Sequence, residues 1–124
     1  MNYKNLLTWN DVLAKNNETQ EQFDKRTEHD TDPQKGDKQV ESLTKAINRP
    51  DWKPDYSNPN QRKWFPVFVW SEKKAGFVFC CATYACTTSH AGLGPRLCFE
   101  TEEQAIHAGT EFIEIYNRAL QHVN

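Results

Sequence analysis

What this sequence lacks sets the first limits. It holds no apolar run long enough to cross a bilayer and no charged-then-apolar stretch at its start, so neither a membrane span nor a secretory leader is read from it. A cytosolic protein is expected. It has no excess of positive charge: 15 Lys and Arg face 17 Asp and Glu, for a net charge of -2 and a pI near 6.1. Without a basic field to attract phosphate backbones, nucleic acid is a disfavoured partner. There are no paired carboxylates in an apolar setting, no Ser/His/Asp order and no glycine loop of the phosphate-cradling kind, so no catalytic residue and no cofactor is assigned.

Nor is there a C-x-x-C pair. Cys80 and Cys81 are neighbours in a strand-like run, where successive side chains point to opposite faces, so the two are not expected to share a tetrahedral metal. A set built from Cys81, Cys86, His90 and Cys98 departs from the spacings of closed metal sites. No metal is assigned, and all four cysteines are read as reduced thiols behaving as small hydrophobes.

Apolar residues are few, 37% of 124 residues with a mean hydropathy of -0.86, but they are concentrated. Lys63 to Glu100 holds most of what can form a dry interior. Within it, Trp64 to Trp70 and Phe77 to Tyr84 are runs of β-branched and aromatic residues, joined by the polar Ser71 to Gly76, which predicts a hairpin. A third strand is predicted at Arg96 to Phe99, after a loop marked by Gly92, Gly94 and Pro95. Then Thr101-Glu102-Glu103-Gln104 matches a capping box. Behind it Ala105, Ala108, Phe112, Ile115, Tyr116, Ala119 and Val123 recur at steps of three and four, predicting one long helix from Glu102 to His122 with Ala108-Gly109 thinning its face against the sheet. Ile106, Ile113 and Leu120 widen that stripe beyond what a small monomer covers, and predict a homodimer. His107 and His122 fall off the stripe and are read as surface residues.

Upstream, Leu6, Leu7, Trp9, Val12 and Leu13 suit a short amphipathic helix that must dock to persist. Asn16 to Gly36 has one large apolar residue, Phe23, amid mixed charge, and reads as a mobile linker closed by Pro33 and Gly36, with a solvated helix over Glu18 to Arg26 as the alternative. Helical spacing resumes from Asp37 as N-cap through Val40, Leu43, Ala46 and Ile47 to a stop at Pro50. The expected organisation is a polar N-terminal extension over 1–36 and a compact domain over 37–124. Its fold class is α+β: a small antiparallel sheet of about three strands packed on a long C-terminal helix, with one or two N-terminal helices.

Between Pro50 and Asn60, prolines and Asx residues impose a fixed irregular path that carries Trp52 and Tyr56. Where this path meets the strand end at Tyr84 and the loop from Thr87 to Arg96, a binding surface is expected. Trp52, Tyr56 and Tyr84 supply flat walls, and Asp55, His90 and Arg96 supply polar orientation, Arg96 by a forked grip on a carboxylate or phosphate. Plugging a sheet edge is the competing use of the aromatics. Arg62, Lys63, Lys73, Lys74 and Arg96 with exposed aromatics would be the elements of a single-stranded nucleic-acid surface. Cys80 to His90 also has the character of a variable contact surface held by a scaffold, against its plainer reading as a strand and a Thr/Ser-rich loop.

The order Trp52-x-Pro54-Asp55-Tyr56-x-Asn58, Lys63-Trp64-x-Pro66-x-Phe68, Gly76-Phe77-x-Phe79, Gly94-Pro95-Arg96-Leu97-Cys98-Phe99 and Ala105-x-x-Ala108-Gly109-x-x-Phe112-x-x-Ile115-Tyr116 resembles a family of short uncharacterised proteins of phages and prophages of gut Bacteroidetes. The likeness spans about the last three fifths of the chain, and Pro95 stands where the family usually carries Ser. The resemblance implies an accessory protein of the host-cell cytosol. Such a protein acts by binding a host protein or sequestering a small, nucleotide-like molecule, often to counter host defence.

Overall fold

The computed structural model describes residues 2–88 and 97–121. Three helices come first: α1 (Trp9–Lys15), α2 (Gln20–Arg26) and α3 (Asp32–Ile47), after a 3-10 turn at Tyr3–Asn5. The strands β1 (Lys63–Ser71) and β2 (Gly76–Ala85) pair antiparallel, and α4 (Glu102–Glu111) and α5 (Ile113–Leu120) complete the chain. The class is α+β. Helix α4 packs on the hairpin and α5 packs mainly on α3, so the core lies between the helices and one face of the strands.

One device starts every α-helix but the last. Thr8, Thr19, Thr31 and Thr101 each accept from the backbone of the residue three ahead, whose Asp or Gln side chain bonds back. Each box satisfies two of the donors that a helix start leaves orphaned. Because of it, helices occupy 20–26 and 32–47, where composition predicts a linker. Phe23 is 2% exposed, edge-on to Trp9 with ring centroids 4.9 Å apart, and Trp9 Nε1 donates to Gln20 at 2.9 Å. The single apolar residue of the segment is enough to dock it. Helix α3 starts at Thr31 rather than Asp37, with Pro33 in its first turn. Gly36 ends nothing there: it is the contact point with α5, where an added methyl would lie 2.7 Å from the Ala119 Cα.

At the other end, one long helix is expected and two short ones are found. Gly109 lets α4 approach the hairpin so closely that a methyl there would sit 2.8 Å from the Phe79 ring. Glycine also weakens the helix just before Phe112, which takes φ -118° and caps α4 while starting α5. The break lets α4 follow the strands and α5 turn onto α3. Among the described residues the sheet has two strands rather than three. Phe99 makes one bridge, exchanging bonds of 2.9 and 2.8 Å with Trp64. In this register Leu97 would face Pro66, which has no N–H to donate, and Thr101 is already the N-cap of α4, so the ladder stops at one bridge. The neighbouring backbone groups point away from β1 and meet Asn48, whose side chain donates to the Cys98 carbonyl at 2.9 Å and accepts from the Glu100 amide at 3.1 Å. Arg96 lies outside the described residues.

The register fixes which residue faces where. Trp64, Pro66 and Phe68 pair with Tyr84, Ala82 and Phe79. Pro66 and Phe79 meet Gly109, and Phe68 lies 4.7 Å from Tyr116, so this face looks at the helices. The alternate residues, Val67, Val69, Val78 and Thr83, leave from the opposite face, as strand geometry requires. Among the described residues no helix is long and apolar enough to cross a membrane.

Candidate functional site

The irregular segment before β1 is organised by Lys63. Its side chain is fully buried, and its ammonium donates to the carbonyls of Asn58 (3.3 Å), Gln61 (2.9 Å) and Cys86. It also lies 4.9 Å from the centroid of the Tyr56 ring. Three carbonyls and a ring face replace the water that a buried charge would otherwise lose. Lys63 is therefore a structural clamp, unavailable to the nucleic-acid surface in which its charge would place it. Gln61 ties the same segment, accepting from the Asp55 amide at 2.6 Å and donating to the Lys53 carbonyl at 3.0 Å.

The predicted site residues fall into separate surroundings. Tyr56 is half-buried and bonds the buried Cys98 sulfur; burial pushes the phenol up to about 12 and the thiol up to about 11, so both stay neutral. Asp55 accepts from the Ser57 amide at 3.0 Å and its hydroxyl at 2.5 Å, and those bonds hold its carboxyl below the ordinary range. Tyr84 is 46% exposed, 4.9 Å from Trp64 and under the Arg62 guanidinium at 4.7 Å. It shares the face of Trp64, whereas Tyr56 sits on Lys63, whose side chain leaves the other face. Trp52 is half-buried in a cleft of about 510 Å³, shared with Lys15, Asn17, Lys45, Arg49 and Pro54. His90 and Arg96 lie outside the described residues.

Sequence reasoning passes over the feature that stands out. Of the large hydrophobics left exposed, Val69 (46%), Trp70 (47%) and Tyr84 belong to the hairpin. Val69 pairs with the half-buried Val78, and Val67 with the exposed Cys81, which gives an apolar outer face. Trp70 stands at the far end, edge-on to Phe77 at 5.4 Å, beside a cleft bounded by Asn117 and Arg118 of α5. An alternating strand pattern with apolar residues on both faces is the signal that could have found it. Elsewhere His107, read as a surface residue, is half-buried and its Nε2 donates to the Leu6 carbonyl at 2.7 Å, pinning the N-terminal turn.

Among the described residues no three His, Cys, Asp or Glu side chains converge to hold a metal. No known protein family matches the chain, and no curated protein or solved structure does.

Proposed function

We propose that this chain is a binding protein that works without catalysis and engages another protein through its hairpin. The observation that carries the reading is the exposure of Val69, Trp70 and Tyr84, each close to half exposed on the hairpin: Val69 on the outer face, Trp70 and Tyr84 at opposite ends of the helix-facing row. Tyr and Trp are the side chains that most often anchor protein interfaces, because they bury large rigid areas at small entropic cost. Tyr84 is preorganised between Trp64 and Arg62. The resemblance to phage accessory proteins makes a host protein of the cytosol, such as a defence component, the favoured partner class. A homodimer through the separate helical flank of Ile106, Ile113 and Leu120 is part of the same proposal, Ile106 being 39% exposed.

The cleft at Trp52 favours a second reading. Its volume falls within the range of small-molecule sites, and an indole wall beside Lys15 and Lys45 suits a planar anion such as a nucleotide. Native mass spectrometry of the tagged protein taken from host lysate separates the two, since a protein and a nucleotide differ in mass by more than an order of magnitude. The double variant Trp70→Ala/Tyr84→Ala, with unchanged melting temperature, is expected to lose a bound protein. Retention of that protein by the folded variant would contradict the hairpin reading. A small mass increment lost on Trp52→Ala would favour the cleft.

A further inference from the structure

The two strands are not in step throughout. Val67 pairs with Cys81 and Phe68 with Phe79, so Cys80 is an inserted residue with no partner of its own. Such a bulge interrupts the alternation that sends successive side chains to opposite faces. Cys80 and Cys81 consequently lie side by side, with sulfurs 3.3 Å apart and both residues exposed. This reverses the expectation for adjacent cysteines in a strand.

We propose that Cys80 and Cys81 form a bidentate dithiol site for a thiophilic trivalent metalloid, of the arsenite and monosubstituted arsenical class. The spacing of the sulfurs selects the centre. Two sulfur bonds of roughly 2.3 Å meeting near a right angle span about 3.3 Å, the bite of a pyramidal trivalent atom, whereas a tetrahedral centre needs about 3.8 Å and a digonal one about 4.6 Å. Direct closure to a disulfide fits less well: consecutive Cα atoms are about 3.8 Å apart, below the range of roughly 4.4 to 6.8 Å in which disulfides are unstrained. An atom inserted between the sulfurs removes that conflict.

The chemistry balances without a change of oxidation state. With phenylarsine oxide, each thiol gives up its proton and forms one S–As bond. The As–O bond breaks, its oxygen leaves as water with the two protons, and the phenyl group keeps the third position. The remaining thiols are poorer candidates: Cys98 is fully buried with its thiol pushed up to about 11, and Cys86 is half-buried.

The test is intact-mass spectrometry and native thiol titration of the reduced full chain with one equivalent of phenylarsine oxide. The expected result is one adduct per chain and loss of two titratable thiols. The adduct should resist excess glutathione but yield to ethanedithiol. Cys80→Ser and Cys81→Ser should each weaken retention by on the order of 100-fold through loss of the chelate, whereas Cys86→Ser should not. Absence of an adduct, or one held equally by the Cys80→Ser and Cys81→Ser variants, would overturn the proposal. Should either serine variant fail to fold, peptide mapping of the wild-type adduct decides: arsenic on Cys80 and Cys81 supports the site, and arsenic on Cys86 or Cys98 overturns it.

Discussion

The two faces of one hairpin have different fates. Toward the helices, Pro66, Phe68, Phe79 and Ala82 meet Gly109, Tyr116 and the rest of the core; away from them, Lys63 and Phe65 at the start of β1 are buried, whereas Val67, Val69, Val78, Cys81 and Thr83 meet solvent to varying degrees. Both faces are built from residues of similar polarity. The difference teaches that apolar content does not mark the core of this protein. What marks it is the glycine that admits α4 and the clamp that holds the segment before β1.

Substitutions at the core sharpen this contrast most. Phe112→Ala, at the junction of α4 and α5, is expected to cost about 3 to 5 kcal/mol in urea denaturation, since the residue is 3% exposed. A loss within the range of surface substitutions would remove it from the core. Lys63→Met should cost about 2 to 4 kcal/mol, because the new side chain fills the space but orphans buried carbonyl acceptors. A neutral outcome would mean that water already serves those carbonyls. Gly109→Ala should cost about 1 to 3 kcal/mol by forcing α4 away from Phe79 and Pro66. Equal or greater stability would show that the helix has room to spare.

Much of this was legible in the sequence, and the gaps have physical causes. The hairpin, the capping box at Thr101 and the docking of the first helix follow from local pattern. The same T-x-x-Q pattern stands at Thr19 and Thr31, but composition argues for a linker there, and one buried phenylalanine outweighs it. The third strand is reduced to one bridge because the register sets Leu97 opposite Pro66, which has no N–H, and because Thr101 already caps α4. No local reading sees that register. Of the site, the aromatic types were readable, but a bulge and a buried lysine decide which face each one serves, and neither shows in residue spacing.

Titration separates the regions more gently. Asp11, Glu18 and Asp32 hold their carboxyls below the ordinary range, through the Leu7 and Thr8 amides, Arg26 and Arg118 respectively. A carboxyl depressed in the folded state stabilises above its unfolded value and ceases to do so as pH falls, so stability should decline below about pH 4. At the basic end, Cys98 and Tyr56 are raised to about 11 and about 12. Their stabilisation is complete below the unfolded values and is lost as pH climbs through the folded ones, so a second decline should begin near pH 9. Thermal melts from pH 3 to pH 11 would show a plateau between. A melting temperature that keeps rising above pH 9 would contradict the buried, neutral state of this pair.

Adjacent residues of β1 serve opposite ends, and Phe68 with Val69 tests this most directly. Phe68→Asp would place a carboxylate against Tyr116, whereas Val69→Asp would place one on the exposed face. Measured by urea denaturation, the first should lose more than about 3 kcal/mol and the second should stay within about 0.5 kcal/mol of the parent. Comparable losses for both would mean that the outer face is covered in solution and is not the free surface described above.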